Sequence, residues 1–308
     1  MQPNGHLAII GATASGKSAL AMEVARRRPG TELVSMDSMA LYRGMDIGTA
    51  APTAAERAEV PTHLLDLVDP DEDYSVSMFQ EAARSALGDV IDRGCRAVLV
   101  GGTGLHVRAV VDDLEIPGQW ADVRADLDDE PDTTALHARL VELDPLAAGR
   151  MEPTNRRRVV RALEVSIGSG RPFSSFGPGL EAYPPSPFTQ VGLRVDRDVL
   201  DRRIAERYRR QLDEGFLEEV RWLADLPGGP SRSAAQALGY RELLAHLRGE
   251  CTLDEAVEDA VGATRQFARR QERWFRRDPR IEWFDVADDP LLVLDEVLER
   301  FDDAGSGR

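Results

Sequence analysis

Residues 11–18 of the chain, Gly11-Ala12-Thr13-Ala14-Ser15-Gly16-Lys17-Ser18, match the phosphate-loop pattern G-x-x-x-x-G-K-[ST] in full. Glycines at both ends allow backbone N–H groups to wrap a phosphate at a helix N-terminus, where the helix dipole also favours an anion. The ammonium of Lys17 can neutralise phosphate oxygens, and the Ser18 hydroxyl can join the oxygen shell of Mg²⁺. The pattern therefore predicts a site for a phosphorylated ligand and magnesium. The alternative is an ordinary glycine turn, against which the flanking strand and helix argue.

Lysine occurs once in the chain, at position 17, although the sequence contains 37 arginines. The wide planar fork of arginine is a poor replacement for a compact ammonium at this position. The scarcity of lysine also excludes a P-loop GTPase, because the base-reading motif Asn/Thr-Lys-x-Asp needs a second lysine. The loop alone leaves open whether the phosphate is transferred or departs as a diphosphate.

Strands and helices alternate along the chain around this loop. Apolar runs predict strands at 6–11, 32–36, 96–100, 189–195 and 280–284, and helices at 18–28 and 75–93. This alternation is typical of a parallel sheet that is covered on both faces. The predicted fold class is α/β, a P-loop NTPase-like parallel sheet core with helices on both faces.

The composition changes between residues 113 and 187. An acidic stretch is followed by a helical pattern and then by a segment rich in Pro, Gly and Ser, which is typical of a loop. We predict an inserted small helical domain over 113–187. The catalytic core is then assembled from 1–112 and 188–308.

Two further residues follow predicted strands. Asp37 comes after the strand at 32–36, and Thr103 lies in Gly101-Gly102-Thr103-Gly104 after the strand at 96–100. Ligand crevices of parallel sheets open at this edge. A carboxylate at position 37 is a candidate general base or magnesium ligand, with a helix cap as the alternative. The glycine turn is a weaker signal, in which Thr103 supplies a hydroxyl.

Arginines mark two predicted helices. Arg203, Arg207 and Arg210 share a face of the helix at 197–213, so one of them can reach a diphosphate, unless the face is merely solvated. Within 264–277, an arc of Phe267, Gln271, Trp274 and Phe275 lies opposite six arginines. Because the chain as a whole carries a net charge of −16, this arginine stripe points to a polyanion partner, with a solvated face as the alternative.

Composition excludes collagen-like, disulfide-scaffold and wholly disordered proteins. Hydrophobic residues make up 42% and charged residues 30% of the chain, as in globular proteins, and no apolar stretch approaches the length of a membrane span. Cys95 and Cys251 lie far apart and have no metal-type spacing, which favours free thiols in a reducing cytoplasm. Nothing in the sequence demands more than a monomer.

The chain resembles the bacterial tRNA dimethylallyltransferases (tRNA isopentenyltransferases). The resemblance spans about nine-tenths of the sequence, in the order of the family's motifs. The matching segments are the loop at 11–18, Asp-Ser-Met-Ala-Leu-Tyr-Arg-Gly-Met-Asp-Ile-Gly-Thr-Ala at 37–50, Val-Gly-Gly-Thr-Gly at 100–104, Arg-Arg-Val-Val-Arg-Ala-Leu-Glu-Val at 157–165, Gly-Phe-Leu-Glu-Glu-Val at 215–220, Ala-Leu-Gly-Tyr-Arg-Glu at 237–242 and Ala-Thr-Arg-Gln-Phe-Ala-Arg-Arg-Gln at 263–271. The segment at 37–50 is the most specific of them.

The resemblance implies transfer of a dimethylallyl group from dimethylallyl diphosphate to N6 of the adenine on the 3′ side of the tRNA anticodon. That adenine would be flipped into a channel through the core. By correspondence with the family, Asp37 is expected to be the general base. Lys17, Ser18, Thr103 and Arg207 are expected to form the diphosphate and magnesium group, with Ser18 as the Mg²⁺ ligand.

The resemblance also implies contacts with the anticodon stem-loop, with the inserted domain gripping the stem. The expected tRNA-binding residues are Asp37, Ser38, Met39, Ala40, Arg157, Arg158, Val159, Val160, Arg161, Gln236, Gly239, Tyr240 and Arg241, together with Arg269 and Arg273 of the arginine stripe. Two positions depart from the family pattern. Alanine stands at position 40 where many members carry glutamine, which puts one base contact in doubt, and Ala51 replaces a common lysine.

Other activities share part of these motifs. An adenylate dimethylallyltransferase would use the same loop and base on a free nucleotide, but the inserted domain and the arginine stripe argue against it. A P-loop kinase of small molecules leaves the segment at 37–50 unexplained. A tRNA-binding protein without catalysis would not need Lys17 or Asp37.

Overall fold

Parallel strands form a six-stranded sheet in residues 5–306, the part of the chain that the computed structural model describes. The strands are β1 (His6–Gly11), β2 (Thr31–Ser35), β3 (Thr62–His63), β4 (Arg96–Gly101), β5 (Phe188–Val195) and β6 (Glu282–Val286). They lie in the order β3-β2-β4-β1-β5-β6, and every pair is parallel.

Helices lie between and after these strands in the sequence. They are α1 (Lys17–Arg27), α2 (Ala54–Glu59), α3 (Val76–Asp92), α4 (Gly104–Val111), α5 (Ala121–Asp128), α6 (Thr133–Leu143), α7 (Pro145–Ala148), α8 (Arg156–Ser169), α9 (Arg197–Asp213), α10 (Phe216–Ala224), α11 (Arg232–Ala235), α12 (Tyr240–Leu247), α13 (Leu253–Phe275) and α14 (Leu294–Ser306). Short 3₁₀ turns lie at Phe173–Ser175 and Pro290–Val293.

The period-2 alternation of the strands divides the core between the two faces of the sheet. Ala8 and Ile10 of β1 pack with residues of α3, α9 and α13 on one face. Leu7 and Ile9 of the same strand pack with residues of α1 and α14 on the other. Because both faces are covered, β1 is buried along its whole length, and residues 7–10 form an uninterrupted apolar run. The predicted α/β class with helices on both faces is confirmed.

The chain divides into two compact units. The first runs up to Val111 and resumes at Pro185, and the second is Asp112–Pro184. The second unit is helical, and its core is formed by Leu127 of α5, Leu140 of α6 and Leu163 of α8 with their apolar neighbours. It occupies the segment for which the sequence predicts an insertion.

The expectations from composition concern membranes and thiols. Among residues 5–306, no helix is both long enough and apolar enough to cross a membrane. Cys95 and Cys251 are free thiols, in agreement with their spacing.

The loop after β2 is held by the carboxylate of Glu219 on α10. The backbone N–H groups of Asp46, Ile47 and Gly48 donate to this carboxylate at 3.0, 2.8 and 3.0 Å. The hydroxyl of Tyr240 donates to it as well, and burial raises the pKa of this phenol further above its ordinary value, with the Glu219 charge acting in the same direction. One carboxylate therefore satisfies three amides of a loop that belongs to no strand or helix itself.

We expect Glu219→Ala to lower the free energy of unfolding by about 1–3 kcal/mol, because it leaves these donors without their acceptor. Urea denaturation followed by circular dichroism measures the loss. The matched control is Glu218→Ala on the same helix turn. Glu218 is exposed and makes an ion pair with Arg221 at 3.5 Å, so its removal should change stability by less than about 0.5 kcal/mol. Equal losses in both variants would contradict the role of Glu219.

Candidate active site

The turns that follow β1, β2 and β4 lie side by side at the carboxyl edge of the sheet. Ile10 is in register with Gly101, and Ser35 is in register with Val100. The amide of Met36 donates to the carbonyl of Val100 at 2.8 Å, which extends the pairing to the start of the next turn. Residues 11–18, Asp37 and Thr103 are therefore brought to one place, where ligands of parallel sheets bind.

The loop at 11–18 has the backbone of a phosphate-binding turn. Ala14 and Gly16 adopt left-handed conformations with φ of 63° and 91°, and α1 begins at Lys17 without a side-chain cap on its first amides. A Cβ atom on Gly16 would lie 2.6 Å from Cγ of Pro290, so only glycine fits there. The first amides of α1 are therefore available to an anion at the helix N-terminus.

The ammonium of Lys17 lies inside this loop and donates to the carbonyl of Ala12 at 3.2 Å. Burial lowers the pKa of Lys17 to about 8, the negative charge of Asp37 acts against this shift, and the positive charge of Arg207 adds to it. Lys17, Asp37 and Arg207 are thus electrostatic neighbours, as the sequence predicts for a diphosphate site.

The three arginines of α9 have different partners. Nη1 of Arg207 donates to the hydroxyl of Thr13 in the loop at 2.9 Å. Arg203 donates to the carbonyls of Ala14, Ala287 and Asp288 at 3.3, 3.1 and 2.8 Å, so it braces the loop against the turn after β6. Arg210 is exposed and lies 3.6 Å from Glu214. Arg207 is accordingly the arginine of this face that is positioned for a phosphate.

Two polar atoms in or beside the loop have no partner among the described residues. They are the buried hydroxyl of Ser15 and the buried Nε of Arg207. A buried polar atom costs free energy unless it is hydrogen-bonded, so such atoms mark a place where a polar ligand belongs. Ser18 lies on the exposed first turn of α1.

Asp37 is half-buried and is held by its own turn. Its Oδ1 accepts from the amide of Met39 at 2.8 Å. The hydroxyl of Thr103 lies 3.4 Å from both the amide and the hydroxyl of Ser38, contacts at the long limit for a hydrogen bond. The carboxylate is therefore fixed in direction beside Thr103, which is what a general base requires.

His106 on α4 belongs to the same neighbourhood and was missed from the sequence. Burial lowers the pKa of His106 to about 4, against the opposing effect of the Asp37 charge, so the ring is neutral at pH 7. Its Nδ1 is buried without a partner among the described residues, and Phe79 packs edge-on at 4.5 Å between ring centroids. A single histidine in an apolar helix turn carries no spacing signal from which this position could be inferred.

Gln271 on α13 was also missed as a site residue. Its Oε1 accepts from the amide of Thr13 at 2.8 Å, and its Nε2 donates to the carbonyl of Gly102 at 2.8 Å. The sequence places Gln271 in the apolar arc of its helix but does not reveal that this arc faces the phosphate loop. A glutamine among aromatic residues is the signal that could have found it, since a buried amide needs partners.

Some of the expected tRNA-binding residues of the first unit are buried. Tyr240 is 1% exposed and packs edge-on against Phe216, and Gly239 and Ala40 are buried as well. Their contact with tRNA stays a prediction. Gln236 and Arg241 are exposed, and Arg241 makes an ion pair with Glu242. Ser38 and Met39 are half-buried beside Asp37.

In the second unit, the expected segment 157–161 divides into two sets. Val159 and Val160 are fully buried in the core of this unit, and their contact with tRNA stays a prediction. Arg161 makes an ion pair with Glu164 at 2.7 Å and donates to the carbonyls of Pro117 and Gly118. Arg157 and Arg158 are exposed, and they remain the candidates for an RNA backbone.

The arginine stripe of α13 is partly neutralised. Arg269 is 42% exposed and lies 3.7 Å from Asp201 of α9, and Arg276 pairs with Glu272 at 2.5 Å. Arg273 is exposed and has no ion pair among the described residues. The stripe therefore presents less free positive charge than its sequence suggests, with Arg273 at its centre.

Known proteins resemble this chain over nearly its full length. The family model described as IPP transferase matches residues 40–278. A protein of Pseudarthrobacter chlorophenolicus named tRNA dimethylallyltransferase is 48% identical over 290 residues, which cover 93% of this chain and 95% of that protein.

Solved structures give the same result. The tRNA isopentenylpyrophosphate transferase of Bacillus halodurans is similar with a TM-score of 0.71 and 35% identity, over 98% of each chain. A eukaryotic dimethylallyltransferase acting on tRNA is similar with a TM-score of 0.77 and 25% identity, over 98% of this chain and 77% of that one. The phosphate loop and the carboxylate at the same sheet edge thus lie in a chain that belongs to the IPP transferase family.

Proposed function

We propose that this protein transfers the dimethylallyl group of dimethylallyl diphosphate to N6 of the adenine on the 3′ side of a tRNA anticodon, giving N6-isopentenyladenosine. The observation that carries this proposal is the placement of Asp37 beside Lys17 and Arg207 at the mouth of the phosphate loop. The site thus offers a base for a weak nucleophile and cations for an anionic leaving group. Relatives named tRNA dimethylallyltransferase support the same reaction. Because the proposed substrate is tRNA, we place the reaction in the cytoplasm.

The reaction exchanges one bond at the allylic carbon. The bond from this carbon to the diphosphate oxygen breaks, and its electron pair leaves with the diphosphate. A bond forms from adenine N6 to the same carbon, and the N6 proton passes to the Asp37 carboxylate. The base helps chiefly as the new bond forms, because the exocyclic amine becomes acidic only then. The chemistry needs no covalent intermediate with the protein.

Charge on the departing oxygens is stabilised by groups that the fold already holds in place. Lys17 lies inside the loop, and the first amides of α1 follow it. Arg207 of α9 contacts the loop at Thr13. Burial lowers the pKa of Arg207, because removal from water disfavours the charged guanidinium, and the Asp37 charge opposes this shift. A diphosphate would supply further negative charge, and preorganised donors of this kind cost no reorganisation during the reaction.

Magnesium fits this site as a partner of the diphosphate and not of a protein cage. Among the described residues, no three acidic, histidine or cysteine side chains gather around one point that could hold a metal ion. Mg²⁺ is commonly held by one or two protein oxygens and the phosphates of a substrate. The Ser18 hydroxyl is exposed on the first turn of α1, where it would be the protein ligand. When bound, the ion would neutralise charge on the leaving diphosphate.

We further propose that exposed arginines bind the anticodon stem-loop. Arg273 and Arg269 of α13 and Arg241 of α12 are exposed in the first unit, and Arg157 and Arg158 in the second. Contacts of arginine with phosphate oxygens fix the register of an RNA without reading its sequence. The adenine is then recognised after it leaves the base stack.

The proposed function is tested with purified protein, Mg²⁺, dimethylallyl diphosphate and unmodified tRNA that carries adenine after the anticodon. AMP serves as the competing acceptor in a parallel reaction, and nucleoside mass spectrometry is the readout. We expect a gain of one C5H8 unit on that adenine alone. A gain on AMP instead would establish an adenylate dimethylallyltransferase. A protein that binds tRNA without any gain would overturn the enzymatic proposal.

Asp37→Asn is expected to lower the rate on bound tRNA by about 10²–10⁴-fold, the range for a lost general base. The amide oxygen of asparagine can still accept the Met39 amide, so the turn is kept. Single-turnover kinetics give the rate, and filter binding gives the tRNA affinity. The base assignment fails if tRNA affinity collapses while the rate on the bound tRNA is unchanged.

Arg269→Glu combined with Arg273→Glu is expected to weaken tRNA binding and to flatten its dependence on salt, because fewer counterions are released. The slope of log K against log salt should decrease by about one for each lost phosphate contact. The matched control is Arg27→Glu with Arg248→Glu, which changes the net charge equally. These two arginines are 57% and 56% exposed and pair only with near neighbours in sequence. If both double variants behave alike, the stripe of α13 is only a solvated face.

A further inference from the structure

Thr13 is held at two atoms by two different helices. Its amide donates to Oε1 of Gln271 on α13 at 2.8 Å. Its hydroxyl accepts from Nη1 of Arg207 on α9 at 2.9 Å. Thr13 is therefore the one point of the phosphate loop at which side chains of both helices meet within the described hydrogen bonds.

The hydrogen bonds of Thr13 remove two groups from those that can bind a phosphate. The Thr13 amide faces Gln271 and not the inside of the loop, so the anion is left to the later amides and Lys17. The Thr13 hydroxyl accepts from Nη1 of Arg207. The Nε of the same guanidinium is buried without a partner among the described residues. A guanidinium has five N–H donors in a rigid fork, so fixing one nitrogen sets the direction of the others.

Gln271 is itself fixed on its other side. Its Nε2 donates to the carbonyl of Gly102 at 2.8 Å, and its side chain is 6% exposed. A Cβ atom on Gly102 would lie 2.4 Å from this nitrogen, so the helix approaches the turn as closely as backbone allows. Both ends of the amide are used, and the side chain has no freedom to follow Thr13 if the loop shifts.

We propose that Gln271 and Thr13 are positioning residues that aim the guanidinium of Arg207 at the leaving diphosphate. Gln271 accepts from the backbone amide of Thr13, and the Thr13 hydroxyl accepts from Arg207. We call this chain of hydrogen bonds the relay. This assignment rests on the proposed function, in which Arg207 contacts the diphosphate.

Electrostatics shows why Arg207 needs such a support. Asp37 is close enough to attract the guanidinium. A guanidinium free to rotate would move toward this carboxylate, pair with it and weaken it as a base. The neutral hydroxyl of Thr13 offers Arg207 a partner that competes with Asp37 without adding charge. The relay thereby keeps Arg207, which stabilises the leaving group, apart from Asp37, which accepts the proton of the nucleophile.

The test uses Thr13→Val, which keeps the shape of the side chain and removes the hydroxyl, and Gln271→Ala. Two readouts are taken: binding of inorganic pyrophosphate with Mg²⁺ by titration calorimetry, and single-turnover prenyl transfer to tRNA. We expect each variant to weaken pyrophosphate binding and to slow transfer by about 10- to 100-fold, less than the loss of a whole oxyanion donor costs. The affinity for tRNA should stay within about twofold. Thr13→Ser, which retains the hydroxyl, should recover most of both quantities.

A background that lacks Arg207 separates positioning from general structural damage. In Arg207→Ala, the further change Thr13→Val should alter pyrophosphate affinity by less than about twofold, because the group through which Thr13 acts is gone. The control for loss of a buried glutamine is Gln190→Ala on β5, whose side-chain nitrogen has no partner among the described residues. This control should leave pyrophosphate affinity unchanged, even if it lowers the melting temperature.

Two outcomes would overturn the relay: an equal cost of Thr13→Val with and without Arg207, and unchanged affinity and rate in both single variants. The pyrophosphate measurement requires neither tRNA nor a prenyl group. A wild-type protein that binds pyrophosphate through the relay but modifies no tRNA would therefore refute the proposed function and leave the relay standing.

Discussion

Parallel pairing of the central strands is the constraint on which the site depends. Each strand of a parallel sheet must return through a crossover, so the turns that follow β1, β2 and β4 all open at one edge. The register places Gly101 beside Ile10 and Val100 beside Ser35, which brings the phosphate loop, Asp37 and Thr103 together although they are far apart in sequence. No side-chain interaction needs to gather them. Further contacts of side chains lie around these groups, among them the hydrogen bonds of Thr13 with Gln271 and Arg207.

The site also carries more positive than negative charge, and an anionic ligand would neutralise the excess. Lys17 and Arg207 are both removed from water, and burial lowers the pKa of each. Asp37 supplies a single negative charge in return. The diphosphate that we propose as the leaving group would bring further negative charge and so stabilise the cations that the fold has desolvated.

Local patterns were sufficient to predict the phosphate loop, the carboxylate at position 37 and the alternating fold, because each is encoded by adjacent residues. The short strand β3 and helix α2 were not predicted, since two residues and six residues carry too little periodicity. Gln271, Glu219 and His106 were missed as site residues for a different reason. For Gln271 and Glu219, the roles come from contacts with loops between 169 and 258 positions away, and for His106 from its surroundings in the fold. The burial of Val159 and Val160 in the core of the second unit was also not foreseen, because a family motif does not distinguish the residues that face a ligand from those that hold them.

The segment at 37–50 carries the most specific resemblance, and most of it never faces a ligand. Tyr42 and Met45 are buried in the core, and Gly48 and its neighbours donate their amides to Glu219. Only the beginning of the segment, at Asp37, Ser38 and Met39, lies beside the phosphate loop. The rest of the segment is held by other elements: the amide of Arg43 donates to the carbonyl of Val68, and Nε2 of Gln211 on α9 donates to the carbonyl of Ile47. A general base at position 37, as we propose, needs a fixed direction, and these contacts hold the loop that carries it.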